Sequence, residues 1–399
     1  MTVEFSLTSE SFQDDPWTTF AALRERCPVH HATEPGPHYT VSREADVRAA
    51  LRDDETWSSR WGPGLASTDP DRAVTVLVSS DPPEHTAERL AISRVFKPSA
   101  IEAMGPDIRR LVDATIDRFV ARGRGDLIAD LAMPIPLTVM CWMLGTPVAD
   151  IERFRGWVLP MAEGVSSPDG RLEPAVADAF RAFLDYFGEH VDARWAALAA
   201  GGDVPDDLLT RLLTVERDGR RLERMQVLGF CQFLLVAGSA TTTLLIGNVV
   251  HRLLEHPEQM ALVRADRSLV PAAVEESLRF DSPVHGLFRT ATCPATIDGV
   301  AIPEASKLLI LFGSANRDPA AWPDPARFDV RRDLAALKRH YAFGYGIHYC
   351  LGAPLARLEA TIALGAILDR LPDLRGDGER EGVKAGVLHG FERYPVAWG

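Results

Sequence analysis

Between Val227 and Val250 the chain carries no charged side chain. A helix of that length rises about 1.5 Å per residue and is long enough to cross a bilayer, so the run belongs either in a membrane or at the centre of a large folded core. Its content favours the core. Gln232, Ser239, Thr241, Thr242, Thr243 and Asn248 interrupt it, and no second such segment follows, as expected of a long helix buried inside a soluble protein. The polar cluster in mid-run is unusual for such a helix. Serine and threonine hydroxyls bond the carbonyl one turn back and bend a helix. Gly238 beside them removes a side chain at the same level, so the segment reads as a notch beside a ligand.

A core able to surround that helix requires a long chain. With 399 residues, 46% hydrophobic and 25% charged, the sequence is neither a small disulfide-stapled module nor a disordered tail. A formal net charge of −13 disfavours a polyanion, so no nucleic-acid partner is expected. The five cysteines are scattered, with no zinc-like pair, which suits reduced thiols in a cytoplasmic protein. Glu4, Glu10, Asp14 and Asp15 mark an N-terminal stretch without an apolar core, so neither a signal peptide nor a membrane anchor is expected. No linker or repeat divides the chain, and residues 1–399 read as one domain.

Helical spacing dominates from Ile101 to Ala200, as in Ile108, Leu111, Val112, Thr115, Ile116 and Phe119. Strand signals are few. They cover His38 to Val41 and Ala295 to Phe312, where Asp298-Gly299 suits a hairpin turn. Pro319, Pro323 and Pro325 make the stretch after Asn316 an irregular meander. The fold class is therefore mainly α with a small β region.

The segment Phe343-Gly344-Tyr345-Gly346-Ile347-His348-Tyr349-Cys350-Leu351-Gly352 precedes an apolar helix with Pro354 in its first turn. Glycines let such a loop pass close to a flat ligand. A cysteine just before a helix N-terminus meets free N–H groups that favour thiolate. Taken alone, Cys350 reads as a buried thiol in a glycine loop. As a pattern, Phe-Gly-x-Gly-x-His-x-Cys-x-Gly resembles the cytochrome P450 family, in which this loop gives haem iron its axial thiolate. The resemblance runs through essentially the whole chain and is nearest to the soluble bacterial members. It implies a P450 fold, with haem b buried between the long central helix and the cysteine loop, Cys350 as the metal ligand, and Phe343 and Gly344 beside the cofactor.

Three more segments carry the resemblance. Glu276 and Arg279, within Glu275-Glu276-Ser277-Leu278-Arg279, would alone read as a surface ion pair. The family implies a buried triad that Arg327, in Pro325-Ala326-Arg327-Phe328, completes. His85 and Arg89 stand four apart on one helix face and would alone read as an exposed basic face. The family implies that they hold the haem propionates together with Arg289 and His348. The fourth segment is Ala237-Gly238-Ser239-Ala240-Thr241-Thr242. By resemblance, the Thr241 hydroxyl assists oxygen activation and an acid stands just before it. This chain has Ala240 there instead, so Ser239, water, another carboxylate or the substrate must stand in.

The activity so implied is a monooxygenase, an oxidoreductase inserting one atom of O2 into a hydrophobic small molecule with electrons from a separate ferredoxin and ferredoxin reductase. The expected protein is a cytoplasmic monomer. Arg94, Lys97, Arg109, Arg110 and Arg357 form either a positive patch for an acidic carrier or simply a solvated surface. Ala240 keeps a peroxide-driven oxygenase open as an alternative, with a non-catalytic haem sensor as a further one. By resemblance the pocket is bounded by residues 57–78, 154–174, 234–241, 284–288 and 387–389, with Trp61, Leu65, Leu234, Ala237, Val284, Leu287 and Leu388 as candidate walls. His30, His31, His251 and His256 show no ligand spacing and read as surface or capping histidines.

Overall fold

The computed structural model describes residues 3, 5–66, 76–164, 173–217, 220–384 and 386–399. The uncharged run lies inside one unbroken helix, Arg224–Glu255. Gln226 closes its N-terminus, accepting the Glu223 N–H at 2.9 Å, and His256-Pro257 ends it. Helices Pro134–Leu144, Ile151–Gly164, Pro174–Ala199, Val270–Phe280 and Ala353–Arg370 pack around it. Its most apolar stretch is long enough to cross a membrane, but 72% of that stretch is buried inside the protein. Burial among other helices supplies the apolar surroundings that the sequence requires. The hydroxyls of Thr241 and Thr243 do bond carbonyls one turn back, those of Ala237 at 2.8 Å and Ser239 at 2.9 Å, without interrupting the helix.

The strands gather to one side. The main sheet runs in the order Val29–Ala32, His38–Val41, Lys307–Ile310, Leu287–Ala291, Trp57–Ser58. The expected strand at His38–Val41 is present, and the Asp298-Gly299 hairpin joins Ala295–Ile297 to Val300–Ile302 with φ of +46° and +76° at the turn. The stretch after Asn316 is irregular apart from one short helix, Leu334–Leu337. Two histidine expectations fail. His30 is buried in the edge hairpin, and His251 is buried beside Tyr394, its Nδ1 3.2 Å from the tyrosine hydroxyl oxygen. Neither has ligand geometry, but both belong to the core.

The Glu276–Arg279 pair is fully buried. Arg279 uses all five N–H groups. Nε and one terminal nitrogen donate to the two Glu276 oxygens at 2.7 Å each, and the remaining bonds reach the carbonyls of Asn316, Pro325 and Arg327 at 3.0–3.1 Å. The third member is not the Arg327 side chain. That guanidinium is 65% exposed and pairs with Asp329, whereas Arg332 Nε donates to Glu276 at 3.2 Å. The meander turns so that Arg327 presents its carbonyl inward, and the guanidinium arrives five residues later.

Candidate active site

One cavity lies between the central helix and the Phe343–Gly352 loop. Residues Leu234, Ala237, Gly238, Thr241, Thr242 and Leu245 line it from the helix, the three-and-four spacing of a single face. Thr241 is therefore on the cavity side. Ser239 is not: two positions from Thr241, it points to the far face, 1% exposed, its hydroxyl without a partner among the described residues. Ala240 is 3% exposed, packed in the main core, and is not among the residues that line the cavity. The Gly238 notch has an occupant from the chain itself. A Cβ there would stand 2.7 Å from Met140 Sδ, so the missing side chain makes room for a methionine of the neighbouring helix, and Met140 also lines the cavity.

The opposite wall carries Cys350. Its N–H donates to Phe343 O at 2.8 Å, closing the loop. Gly344 and Gly346 have φ of +70° and +72°, and a Cβ on Gly346 would stand 2.6 Å from Leu51 O, so glycine is required there both for conformation and for approach. Pro354 occupies the first turn of Ala353–Arg370. Burial pushes the Cys350 thiol up, opposed by the N–H groups of Gly352 and Ala353 and by Arg89 and Arg357. Those donors and cations suit a sulfur that carries negative charge when ligated to a metal.

Four cation-forming side chains meet at the cavity edge. Helix Glu84–Ser93 presents His85 and Arg89, and strand Leu287–Ala291 presents Leu287 and Arg289 on one face while Phe288 turns into another core cluster. His348 completes the set, with its ring centroid 4.2 Å from that of His85 and its Nε2 3.0 Å from Ser59 Oγ. Asp81 ties these parts together by accepting from Ser58 Oγ and from the Ser59 N–H. Burial, with Arg289, His85 and Arg89 beside it, pushes His348 down to about 2. Burial also lowers Arg289 to about 10 against a partial pull from Asp81. The arginines thus disfavour charge on both histidines, and among the described residues Arg89 and Arg289 hydrogen-bond only backbone carbonyls, Tyr349 O and Phe288 O. Such a donor set matches a ligand with two carboxylates. An apolar slot with a thiolate-supporting loop on one face and this cationic edge fits haem: Cys350 would hold the iron and the cationic edge would hold the propionates.

Of the expected substrate walls, Leu234, Ala237, Val284 and Leu287 line the cavity. Leu65 instead packs in the N-terminal cluster with Phe5 and Phe20. Trp61 is outside the lining, with its carbonyl accepting from Lys307 Nζ at 3.1 Å. Leu388 backs the wall through a bridge to Val284. Residues 67–75 and 165–172 of the expected boundary lie outside the described residues. Sequence reasoning missed Met140, Phe233 and Leu245, whereas Leu77 and Val78 fall at the end of the expected 57–78 boundary. Leu245 was within reach, since it extends the helical stripe by one turn. Met140 arrives from a separate helix and gave no local signal. Among the basic residues of the proposed patch, Arg94, Lys97 and Arg109 are exposed, Arg110 pairs with Asp107, and Arg357 is partly buried and engaged by Glu275.

A family model described as Cytochrome P450 matches residues 158–372. The chain is 37% identical to the cytochrome P450 monooxygenase PikC of Streptomyces venezuelae, over 99% of this chain and 94% of that protein. It is also 37% identical to the cyclomarin C epoxidase CymV of Salinispora arenicola, over 89% of each. Among solved structures, cytochrome P450 CYP109Q5 from Chondromyces apiculatus superposes with a TM-score of 0.87 at 32% identity, covering 100% of this chain and 99% of that one.

Proposed function

The chain belongs to the cytochrome P450 family of haem-thiolate monooxygenases, and from that premise we propose that it oxygenates a hydrophobic small molecule with electrons from a separate ferredoxin and ferredoxin reductase. Haem b with a thiolate ligand supplies oxygen activation, drawing on O2 and a redox partner. In this reading Cys350 is the iron ligand, Phe343 and Gly344 flank it, and His85, Arg89, Arg289 and His348 hold the propionates. The Glu276–Arg279 brace with Arg332 keeps the meander against the haem-side core. Thr241 orders water and protons at the reacting face. Leu234, Ala237, Val284 and Leu287 exclude water around the substrate and orient it by shape. The one observation that carries the assignment is that Cys350 and Thr241 line the same cavity from opposite elements.

The absence of acidic residues among the described lining residues, together with leucine, valine and phenylalanine walls, supports a substrate without a cationic anchor. Arg94, Lys97 and Arg109 support docking of an acidic carrier. Extensive burial of the long apolar helix supports a core element and not a membrane span, and the proposed enzyme is a monomeric, single-domain cytoplasmic protein. Carbon monoxide added to reduced protein should give the red-shifted Soret band of a thiolate haem, and Cys350→Ala should abolish it. A band that persists in the variant overturns the assignment. A screen for compounds that shift the haem spin state then identifies the substrate class. Peroxide-driven turnover is the second reading, favoured by Ala240 and by the lack of acids among the described lining residues. Product formed with hydrogen peroxide alone, and not with ferredoxin, reductase and NAD(P)H, selects it.

A further inference from the structure

Behind the cysteine loop lies a second ion pair that neither the brace nor the propionate set uses. Glu275, 3% exposed, accepts Arg357 Nε at 2.5 Å and the terminal Nη2 at 3.1 Å, and lies 3.0 Å from His340 Nε2. These three come from different elements: Glu275 from helix Val270–Phe280, Arg357 from the first turns of Ala353–Arg370, and His340 from the meander's end. The Arg357 guanidinium does more than pair. It lies 4.5 Å from the Phe343 ring centroid and donates to Tyr349 Oη at 3.1 Å. Phe343 is the residue whose carbonyl takes the Cys350 N–H, and Tyr349 directly precedes Cys350. One cation therefore grips both ends of the loop that presents the sulfur.

We propose that Glu275 and Arg357 are positioning residues whose opposed charges set the electron-donating strength of the Cys350 thiolate, and with it the reduction potential of the bound haem. The inference rests on Cys350 as iron ligand, as proposed above. A cation close to a thiolate stabilises negative charge on it, withdraws density from the iron and favours the reduced state. The carboxylate behind the cation offsets part of that field. Burial works against charge on both groups, yet the pairing holds Glu275 at about 2 and keeps Arg357 above its ordinary value, so both remain charged across the working pH range. The remaining groups acting on the sulfur are Arg89 and the N–H groups of Gly352 and Ala353, which the variants below leave in place. His340 faces Glu275 and is also retained.

The test is spectroelectrochemical titration of haem-loaded protein, with the ferrous carbon monoxide spectrum recorded on each sample. Arg357→Gln should favour the ferric form by roughly tenfold, a fall of about 59 mV for one electron. Glu275→Gln should favour the ferrous form by a smaller factor, because its charge lies behind that of Arg357. Arg357→Lys retains the charge and should stay near wild type in potential even if it loosens the loop. A loop that is merely braced responds in one direction to either loss, so a potential that moves the same way in Arg357→Gln and Glu275→Gln overturns the proposal. So does an unchanged potential in both. Should Glu275→Gln fold poorly, the contrast between Arg357→Gln and Arg357→Lys still decides, since only the first removes charge. If Cys350 is not the ligand, wild-type protein lacks the thiolate carbon monoxide band before any variant is made.

Discussion

Replacing Arg279 with alanine removes five hydrogen bonds at once, three of them fully buried, and the structure ranks that loss against its neighbours. The carbonyls of Asn316 and Pro325 lose the side-chain donor that reaches them, while Arg327 O keeps Arg332 and Glu276 keeps Arg332 and the Asp329 N–H. Two buried acceptors left unsatisfied cost about 1–3 kcal/mol each, and a buried pair broken on one side costs about 3–5 kcal/mol. A loss of about 4 kcal/mol is therefore expected. It is a large share of a total stability of about 5–15 kcal/mol and raises the unfolded fraction by roughly three orders of magnitude. Arg332, with its bond to Glu276 and its bonds to the carbonyls of Pro323 and Asp324, sits nearer the surface and should cost about 1–3 kcal/mol. Arg327, mostly exposed and, among the described residues, paired only with Asp329, should cost at most about 1 kcal/mol. Urea midpoints read with Soret absorbance give the order Arg279→Ala, Arg332→Ala, Arg327→Ala. An Arg327→Ala variant as damaged as Arg332→Ala, or an Arg279→Ala variant with full haem content and an unshifted midpoint, refutes this account of the brace.

Three other outcomes follow from named contacts. Glu275 titrates at about 2 in the folded protein, below the ordinary carboxylate range, so its contribution to stability is complete above about pH 4.5 and is lost as pH falls toward 2. Glu275→Gln should flatten that part of the acid-unfolding curve, and an unaltered acid limb contradicts the pairing. Gly238→Ala should meet Met140 Sδ and destabilise by about 1–3 kcal/mol, a loss that should vanish when the same change is made in the Met140→Ala background; additive losses in thermal melts would show that the two do not touch. Thr241→Ala should send a larger share of NAD(P)H electrons to peroxide rather than product, whereas Ser239→Ala should leave that share unchanged, as measured by peroxide released per NAD(P)H consumed.

How far the sequence reveals this molecule depends on whether a feature is local. The central helix was legible because a long uncharged run has few places to go, and the cysteine loop because its glycines answer to local geometry. Four-residue spacing put His85 and Arg89 on one helix face, but that this face turns to the cavity and is not exposed came from the family resemblance, because spacing does not say what a face packs against. Arg327 was misassigned for the opposite reason. Whether a meander residue turns its carbonyl or its side chain toward Glu276 depends on irregular backbone, which no periodicity encodes. The Gly238 notch was seen, but its occupant was not, because Met140 reaches it from a helix about a hundred residues earlier in the chain. Trp61 and Leu65 failed as walls for the same reason. Their segment is anchored by Lys307 and by the N-terminal aromatic cluster, both distant in sequence.

The missing acid at position 240 looks different once its surroundings are known. Ala240 is enclosed in the main apolar cluster, off the stripe that faces the cavity, and a carboxylate placed in such surroundings without a partner is strongly disfavoured. The alanine is therefore consistent with its neighbours, and the helix flank has not kept a site for a relay residue. Ser239 cannot replace it either, because its buried hydroxyl lies on the far face of the helix. What the cavity retains is Thr241 and Thr242. Thr241 spends its proton on Ala237 O at 2.8 Å, leaving its lone pairs toward the cavity, so at rest it accepts and does not donate. In the proposed role, passing a proton inward would require Thr241 to leave that bond and have its proton replaced from solvent. An Ala240→Glu substitution should accordingly destabilise the helix packing without reducing peroxide release. A stable Ala240→Glu protein with improved coupling would show that the flank, and not the cavity-facing hydroxyl, limits proton supply.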